Sequence, residues 1–224
     1  MISMNNKKPW EQNQYKRFED NWNKKWSKKF PNKSKLKNKI IELNYNNFYD
    51  VNNAFGKLDK ALQICDFLKK LSYAKPPQDT EKIIITILVS CAEAIYKINK
   101  PEEDINENLI KGFFKPVQSK LKGKIKGHTE TKMPYNKSFD STEVLYLIRN
   151  DYIHNGNFTG KVFRLNSSEK KSYNHGLFYY YEKENKNKLI QVFSSINLSY
   201  LEFINIFLES FILNIEKYCT KHKK

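Results

Sequence analysis

Residues 81–96 read EKIIITILVSCAEAIY, and their apolar side chains leave little polar surface on any side of a helix. A helix of this kind is buried on most sides by other elements. We therefore expect this segment to be the central helix of the fold. Asp79 or Thr80 can cap its first turn. Pro76 and Pro77 end the helix that precedes it.

Glu93 is an acidic residue within this apolar neighbourhood, and two interpretations of it stay open. A buried carboxylate has to find a cation, and Arg149 is one candidate partner. Alternatively, Glu93 faces solvent and pairs with Lys97 one turn further along the helix. The sequence does not decide between a buried ion pair and an exposed one.

Two pairs of residues predict further helices nearer the C-terminus. Asp140 is followed by Glu143, and Ser199 by Glu202, at the three-residue spacing of a capping box. Asn155–Gly156 closes the first of these helices. The second carries a wide apolar band, made up of Ile204, Phe207, Leu208, Phe211, Ile212, Ile215 and Tyr218. So wide a band predicts deep burial or a helical partner.

Other helices are expected earlier in the chain. Between Phe55 and Leu71, apolar residues recur at three- and four-residue spacing, which is typical of an amphipathic helix. Another helical stretch begins at about Ile105. It leads into the basic segment Lys115–Lys137, which shows no apolar period and predicts a mobile loop.

Short segments before the last helix are rich in aromatic and β-branched residues, which is typical of strands. They are Lys161–Leu165, Gly176–Tyr181 and Lys188–Phe193. We expect a small hairpin there, with the polar segment Lys183–Lys188 as its turn. The expected fold class is therefore mostly α, a helical bundle with a small β-hairpin insertion before the last long helix.

Residues 1–47 are basic and carry all three tryptophans, and we expect them to form an arm ahead of a helical domain over residues 48–224. Phe18, Trp22 and Trp26 are spaced four apart and share one face of a helix, which Pro31 ends. An aromatic stripe among lysines can stack nucleic-acid bases. More often such a stripe packs against the body of the protein, and we favour that interpretation.

The chain is strongly basic. Lysine and arginine total 40 residues against 24 acidic residues, so the formal net charge is +16. Such a surface attracts polyanions, and nucleic acid is the expected partner. A run of charges is also a common form of solvated surface, and that alternative stays open.

Cysteine usage and hydropathy indicate the compartment. The three cysteines are far apart and form no C-x-x-C pair, which argues against a disulfide framework and a zinc site and fits a reducing compartment. No apolar segment follows Met1, and the run Ile83–Val89 is much shorter than the roughly 20 residues of a membrane-spanning helix. We expect a cytoplasmic protein that does not enter a membrane.

Side chains suited to binding a phosphate or transferring a proton are concentrated in the stretch LIRNDYIHNG, residues 147–156. Arg149 is one of only three arginines in a chain rich in lysine. Its guanidinium offers a fixed fork of donors that matches a phosphate group, which lysine does not. Asn150 lies four residues before His154, the spacing at which it can hydrogen-bond the imidazole and orient it.

Arg149 and His154 lie five residues apart, which places them roughly 140° apart around a helix axis. One straight helix cannot direct both side chains at one point, but a cleft shared by two copies of the helix can. The spacing therefore predicts a homodimer. His154 also lies in the last turn of its helix, where the helix dipole favours the imidazolium form and raises its pKa.

The stretch from Arg149 to His154, RNDYIH, resembles the R-x-x-x-x-H signature of the HEPN superfamily, in the form where a polar residue follows the arginine. Members are helical bundles that usually dimerise. The catalytic members are metal-independent ribonucleases of toxin–antitoxin systems, abortive-infection proteins and RNA-targeting type VI CRISPR effectors. The resemblance covers the helical stretch from about residue 50 to the C-terminus, and its specific part is the motif.

The resemblance implies an endoribonuclease in which Arg149 stabilises charge on the scissile phosphate and His154 is the general acid or base. Asn150 would orient them. Attack by the substrate's own 2′-OH agrees with this assignment, because a cation and an imidazole suffice for that step and the sequence holds no cluster of metal ligands. RNA is then the partner, 2′,3′-cyclic phosphate and 5′-OH ends are the products, and no cofactor is expected.

Two other functions stay open. Some members of the superfamily lack nuclease activity, so the same residues can belong to a catalytically silent module that binds RNA, a nucleotide or a partner protein. A purely structural interpretation treats the apolar band of the last helix as an assembly surface. For the nuclease, the resemblance implies a role in phage defence or as a toxin, with an antitoxin or another defence protein as a further partner.

The remaining candidate residues receive no role. Asp151 could assist the reaction, but an exposed acid on a helix surface is the simpler interpretation. His128 and His175 lie in segments expected to be loops or turns, and His222 lies in a charged tail.

Overall fold

The computed structural model describes residues 8–71, 77–104, 106–129, 138–155, 159–160, 175–181 and 189–223. Its helices are α1 (Pro9–Asn21), α2 (Ser27–Lys29), α3 (Ser34–Ile41), α4 (Tyr45–Leu71), α5 (Pro77–Tyr96), α6 (Glu107–Phe114), α7 (Gln118–Leu121), α8 (Ser141–Asn155) and α9 (Tyr200–Lys221). Its strands are β1 (Ile125–Thr129), β2 (Ser138–Phe139), β3 (Thr159–Gly160), β4 (His175–Tyr181) and β5 (Leu189–Ile196). A π-helical turn, Trp22–Trp26, joins α1 to α2, and 3-10 turns occupy Lys97–Asn99 and Lys115–Val117. The prediction of a mostly α-helical fold with a small β insertion is confirmed.

Helix α5 has the burial expected of a central helix, and it packs on α6 and α8. Its buried apolar side chains are Ile84, Ile85, Leu88, Val89, Cys91, Ala92 and Ile95. The helix begins at Pro77, so the prediction that Asp79 or Thr80 caps it is wrong. Proline is tolerated in a first turn because the N–H it lacks would have no helical partner there.

Both predicted capping boxes are present. The Asp140 Oδ1 atom accepts hydrogen bonds from the backbone N–H groups of Thr142 and Glu143 at 2.8 and 2.9 Å. The backbone N–H of Asp140 donates in return to Glu143 Oε2 at 2.8 Å. At the start of α9, the Ser199 N–H donates to Glu202 Oε2 at 2.7 Å, and the Glu202 N–H donates to Ser199 Oγ at 3.2 Å. These bonds satisfy N–H groups that a helix start otherwise leaves unpaired.

The apolar band of α9 is buried within its own chain. Its buried members are Phe203, Ile204, Ile206, Phe207, Phe211, Ile212, Ile215 and Tyr218. Phe207 lies with its ring centroid 5.0 Å from that of Phe113 on α6. The idea that this band is an assembly surface is therefore wrong, because the side chains that would form the surface already pack in the core.

One antiparallel sheet with the strand order β2-β1-β5-β4-β3 contains the strands that the structure describes. Strands β4 and β5 form the predicted hairpin, with Leu177 opposite Phe193 and Tyr181 opposite Leu189. The predicted strand Lys161–Leu165 lies outside the described residues.

Strand β1 corrects the prediction that Lys115–Lys137 is a mobile loop. Residues 115–129 form a 3-10 turn, α7 and β1, whereas residues 130–137 lie outside the described part of the chain. Strand β1 pairs with β5, with Ile125 opposite Ile196 and Thr129 opposite Val192. Its lysine, glycine and histidine residues have low strand propensity, so the strand forms because a distant partner is available and not because of a local preference.

The two faces of β1 differ. Burial alternates along Ile125–Thr129, so that Lys126 and His128 are exposed and the residues between them are buried. Helix α8 covers the buried face so closely that a Cβ atom at Gly127 would lie 2.7 Å from Cγ2 of Val144. Glycine is therefore required at the crossing of β1 and α8.

Gly127→Ala is expected to lower the free energy of unfolding by about 1–3 kcal/mol, because the added methyl group overlaps the fully buried Val144 side chain. Urea unfolding measures this change. Gly56→Ala is the matched control, since a Cβ atom at Gly56 in α4 meets nothing within 4 Å and alanine favours the helix. Equal unfolding midpoints for Gly127→Ala and the unmodified protein would contradict the close contact.

The chain divides into two compact units. The first comprises Met1–Gly56 and Leu213–Lys224, and the second comprises Lys57–Ile212. Helices α4 and α9 contribute residues to both. The residues of the predicted arm, 1–47, thus share their unit with the start of α4 and the end of α9.

Aromatic side chains form the core of the first unit. Phe18, Trp22 and Trp26 are at most 3% exposed. Their ring centroids lie 5.4, 5.7 and 5.1 Å from that of Phe55 on α4. The interpretation that this stripe packs against the protein is confirmed, and buried rings do not offer a surface for stacking bases.

The second unit holds α5, α6, α7, α8 and the sheet. It therefore contains both the motif stretch and the hairpin. Within the described ranges, no helix is both long enough and apolar enough to cross a membrane.

Candidate functional site

Helix α8 carries the predicted site residues and is anchored at its start. Burial alone would raise the pKa of Asp140, but hydrogen bonds from the Thr142 side chain and from backbone N–H groups, with Lys111 nearby, hold that pKa below its ordinary value. Lys111 Nζ lies 3.7 Å from Asp140 Oδ2 and 3.4 Å from Glu143 Oε1. The capping carboxylate therefore stays ionised and fixes the start of the helix that leads to Arg149.

Three groups of the protein hold the Arg149 guanidinium. Its Nη2 atom lies 3.0 Å from Glu93 Oε2, its Nη1 atom donates to Asn150 Oδ1 at 2.6 Å, and its Nε atom donates to Ser90 Oγ over a longer 3.4 Å. Because Glu93 and Ser90 belong to α5, helices α5 and α8 meet at this group. The Arg149 side chain keeps 17% of its surface exposed. The guanidinium is thus held in one orientation on a side chain that stays partly exposed.

Glu93 is the buried partner that one of the two interpretations expected. The residue is 1% exposed, so the alternative of a solvent-facing pair with Lys97 is wrong. Burial raises the pKa of the Glu93 carboxyl above its ordinary value, and Arg149 acts in the opposite direction. Neither carboxylate oxygen receives a well-directed hydrogen bond from the residues that the structure describes. The charge of Arg149 at 3.0 Å is therefore the main compensation for this buried acid.

Arg149 retains donors for a ligand. A guanidinium carries five N–H groups. Two of them are donated, from Nη1 to Asn150 and from Nε to Ser90, while Nη2 forms the ion pair with Glu93 without a well-directed hydrogen bond. Among contacts with described residues, at least one N–H on each terminal nitrogen is left over. Two such donors can bind phosphate oxygens.

Asn150 positions Arg149 directly, because its Oδ1 atom accepts the 2.6 Å hydrogen bond. This leaves the Asn150 amide group as a donor for another partner. The predicted hydrogen bond from Asn150 to the His154 imidazole lies outside the described residues, since the His154 side chain does.

His154 lies in the last turn of α8, which ends at Asn155 as predicted. It lies five positions after Arg149 on the helix, about 7.5 Å along the axis and 140° around it. The helical backbone thus preserves the angular offset on which the prediction of a shared site rests.

The residues between Arg149 and His154 differ sharply in exposure. Asp151 is 2% exposed, so the expectation of an exposed acid is wrong. It continues the inward stripe of Val144 and Ile148 at helical spacing, and its charge concealed that pattern in the sequence. Ile153, in contrast, is 48% exposed and leaves an apolar side chain at the surface next to His154.

Sequence reasoning missed Ser90. It lies three residues before Glu93 and therefore on the same face of α5. Thr86, four residues earlier, continues this face and is 8% exposed. Polar residues at helical spacing within an otherwise apolar helix were the signal that could have revealed this side of the site.

The cysteines do not supply a nucleophile. Burial raises the pKa of Cys65, Cys91 and Cys219 to about 12 in each case. All three thiols are free. A buried, protonated thiol is a poor nucleophile.

The other histidines lie apart from the motif in the sequence. His128 is exposed on β1 and stacks on Phe193, with ring centroids 5.8 Å apart. The His222 ring centroid lies 4.4 Å from that of Tyr218 in the first unit. The His175 side chain lies outside the described residues.

No protein-family model, curated protein or solved structure matches this chain. Over the described residues, no three histidine, cysteine, aspartate or glutamate side chains are grouped so that they could hold a metal ion.

Proposed function

We propose that this protein is a metal-independent endoribonuclease of the HEPN type, which cleaves RNA by attack of the substrate's 2′-OH and leaves 2′,3′-cyclic phosphate ends. The observation that carries the proposal is the Arg149 guanidinium, which Glu93, Ser90 and Asn150 hold in place while it stays partly exposed. A preorganised donor group of this kind suits a phosphate whose negative charge grows in the transition state.

The roles of the residues follow from their contacts. Arg149 supplies directed hydrogen bonds more than net charge, because Glu93 compensates its charge inside the protein. Asn150 positions Arg149 through the hydrogen bond to Nη1. His154 is the proposed general base that accepts the proton of the attacking 2′-OH, or the general acid that donates a proton to the leaving 5′-oxygen. A net charge of +16 attracts the RNA.

The proposed site is completed by a second copy of the chain. Arg149 and His154 diverge by about 140° around α8, so the two groups on one helix cannot converge on one phosphate. Ile153 supports this arrangement, because a surface isoleucine next to His154 would be covered in a dimer. The buried band of α9 gives no such support.

Cleavage is expected to persist in excess EDTA and to leave 2′,3′-cyclic phosphate ends, because a 2′-OH attack needs a proton acceptor and charge stabilisation on the phosphate. Gel analysis of a labelled single-stranded RNA, with and without phosphatase treatment of the ends, measures both. The matched substrate with 2′-deoxy sugars should bind and stay intact. Loss of cleavage in EDTA that magnesium or manganese restores would contradict the proposed chemistry.

The protein is expected to be a two-fold dimer at micromolar concentration, and Ile153→Asp is expected to shift it towards monomer by placing a charge in the interface. Light scattering measures the mass. Leu201→Asp is the control, because it puts the same acid in place of a leucine that is 64% exposed at the start of α9. An unmodified monomer that still cleaves RNA would overturn the shared site.

A second candidate function is a catalytically silent HEPN module that binds RNA, a nucleotide or a partner protein. The observation that favours it is the same ion pair, since an arginine already compensated by a buried glutamate can serve a binding site as well as a catalytic one. Turnover separates the two functions. For the nuclease, phage defence or toxin activity is the proposed role, and an antitoxin or another defence protein is the proposed regulator.

A further inference from the structure

The sheet has one face that α8 does not cover. Ile125, Gly127 and Thr129 of β1 are buried, and α8 approaches that face at Gly127. On the opposite face Lys126 and His128 of β1 are exposed. In the register of β1 and β5, Lys126 lies opposite Ser195 and His128 lies opposite Phe193. These four residues, Lys126, His128, Phe193 and Ser195, are named here the outer face.

Two aromatic rings form a platform on the outer face. His128 and Phe193 lie with their ring centroids 5.8 Å apart and their planes 26° from parallel. Phe193 is partly exposed although its neighbours Val192 and Ser194 are buried. The two rings stack on each other, and an exposed ring on a sheet is a surface on which an unpaired base stacks.

Several lysines lie on β1 or just before it in the chain. The stretch Lys115–Thr129 holds five lysines and no acidic residue. Lys120 is paired with Glu209 at 2.5 Å. Lys122, Lys124 and Lys126 are exposed, and none of them forms an ion pair with a residue that the structure describes.

A cavity of about 500 Å³ has Lys122 and Lys126 in its lining, together with Ile125 and Phe139. Asp140 also lines it. The Asp140 carboxylate is compensated, because its Oδ1 atom accepts the capping hydrogen bonds and its Oδ2 atom lies 3.7 Å from Lys111. The two lysines therefore dominate the charge of the cavity, which suits a phosphate group.

We propose that the outer face is a binding site for single-stranded RNA, in which bases stack on His128 and Phe193 and phosphates lie along Lys122, Lys124 and Lys126. Unpaired strands fit this surface better than duplexes do, because only unpaired bases expose their flat faces to protein rings. An acidic protein would use the lysines but has no comparable use for the rings. The choice of RNA as the bound polymer rests on the proposed function. The proposed binding surface consists of residues other than Arg149 and His154.

The test is binding of a mixed-sequence single-stranded RNA with 2′-fluoro sugars, which lacks the attacking hydroxyl, measured by fluorescence anisotropy on the full chain. Phe193→Leu is expected to weaken binding roughly 5- to 100-fold, the loss of one base–ring stack. Phe193→Tyr keeps the ring and should bind like the unmodified protein.

The lysines are tested together. Replacing Lys122, Lys124 and Lys126 by alanine should weaken binding and lower the slope of log affinity against log salt by about 2, since each phosphate contact on a single strand contributes roughly 0.7. Replacing Lys24, Lys28 and Lys29 is the matched control, because it removes the same charge from exposed positions of the first unit. Equal losses of RNA affinity in both triple variants would mean that the lysines act only through the net charge of the protein. That result would overturn the proposal.

The two proposals fail separately. If the protein binds the 2′-fluoro RNA through Phe193 but never cleaves ordinary RNA, the outer face stands and the nuclease does not. If the protein cleaves ordinary RNA, but Phe193→Leu and the triple lysine variant both bind RNA like the unmodified protein, the outer face is not the RNA-binding site. If these variants still bind RNA but no longer bind an acidic protein, the surface binds that protein and the proposal is wrong as well.

Discussion

His154→Ala is expected to slow RNA cleavage by roughly 10²–10⁴-fold while RNA affinity stays nearly unchanged. The proposed imidazole transfers a proton in the reaction, so its removal acts on the chemical step. One imidazole adds little to an interaction in which many lysines contact phosphates. Single-turnover cleavage at saturating protein and filter binding on the same preparation separate the two effects.

Two variants serve as controls for His154→Ala. Arg149→Lys should also impair turnover, because a point charge does not replace a guanidinium that is directed by three contacts. His222→Ala removes an imidazole from the first unit and should cleave at the unmodified rate. Should His154→Ala cut bound RNA as fast as the unmodified protein, the nuclease assignment of this motif is wrong and the binding module takes its place.

Arg149→Met is expected to lower the free energy of unfolding at neutral pH by about 3–5 kcal/mol, because it leaves the Glu93 carboxylate buried without a cation. Methionine matches the length of the arginine stem, so the lost charge dominates the effect. Urea unfolding followed by circular dichroism measures this change. A midpoint equal to that of the unmodified protein would show that Arg149 does not compensate Glu93.

The pH dependence of this loss follows from the raised pKa of Glu93. A carboxyl whose pKa is higher in the folded than in the unfolded protein binds a proton on folding, so stability is greatest below the unfolded value and falls as the pH rises towards the folded value. Without Arg149, the pKa of Glu93 rises further. The gap in stability between Arg149→Met and the unmodified protein should therefore widen as the pH rises above the ordinary range of a carboxyl pKa.

Glu93→Gln is the matched variant for this pair. It removes the buried charge and leaves Arg149 unpaired but partly exposed, so it should cost less than Arg149→Met. Combined with Arg149→Met, it should restore most of the lost stability and abolish the widening of the gap with pH. Additive losses in the double variant would mean that Glu93 and Arg149 act independently.

Local interactions allowed much of the helical architecture to be predicted. The boxes at Asp140 and Ser199 involve groups three residues apart, and both are present. The aromatic stripe of Phe18, Trp22 and Trp26 is likewise visible as a repeat of four residues, and it packs as expected. A pattern of this kind can be seen in the sequence because its own members lie within one or two helical turns of each other.

Strand β1 and the burial of Asp151 could not be predicted in the same way. A basic segment became a strand because β5 offered a row of hydrogen-bonding groups, and that row is brought near only by the folded chain. Asp151 is buried because it occupies the inward side of α8, although an acid at that position is expected to face water.

The sequence by itself determined the starts of α8 and α9, the apolar stripes and the position of Arg149, Asn150 and His154 on one helix, because each depends on residues a few positions apart. Only the tertiary structure decided that Glu93 is buried against Arg149, that Ser90 joins them and that Lys126 and His128 share an exposed face with Phe193. Each of these contacts joins residues far apart in the chain. A buried carboxylate needs a cation beside it, whereas a carboxylate in water does not. Because Glu93 is buried, it pairs with Arg149 of the proposed site and not with Lys97 at the surface.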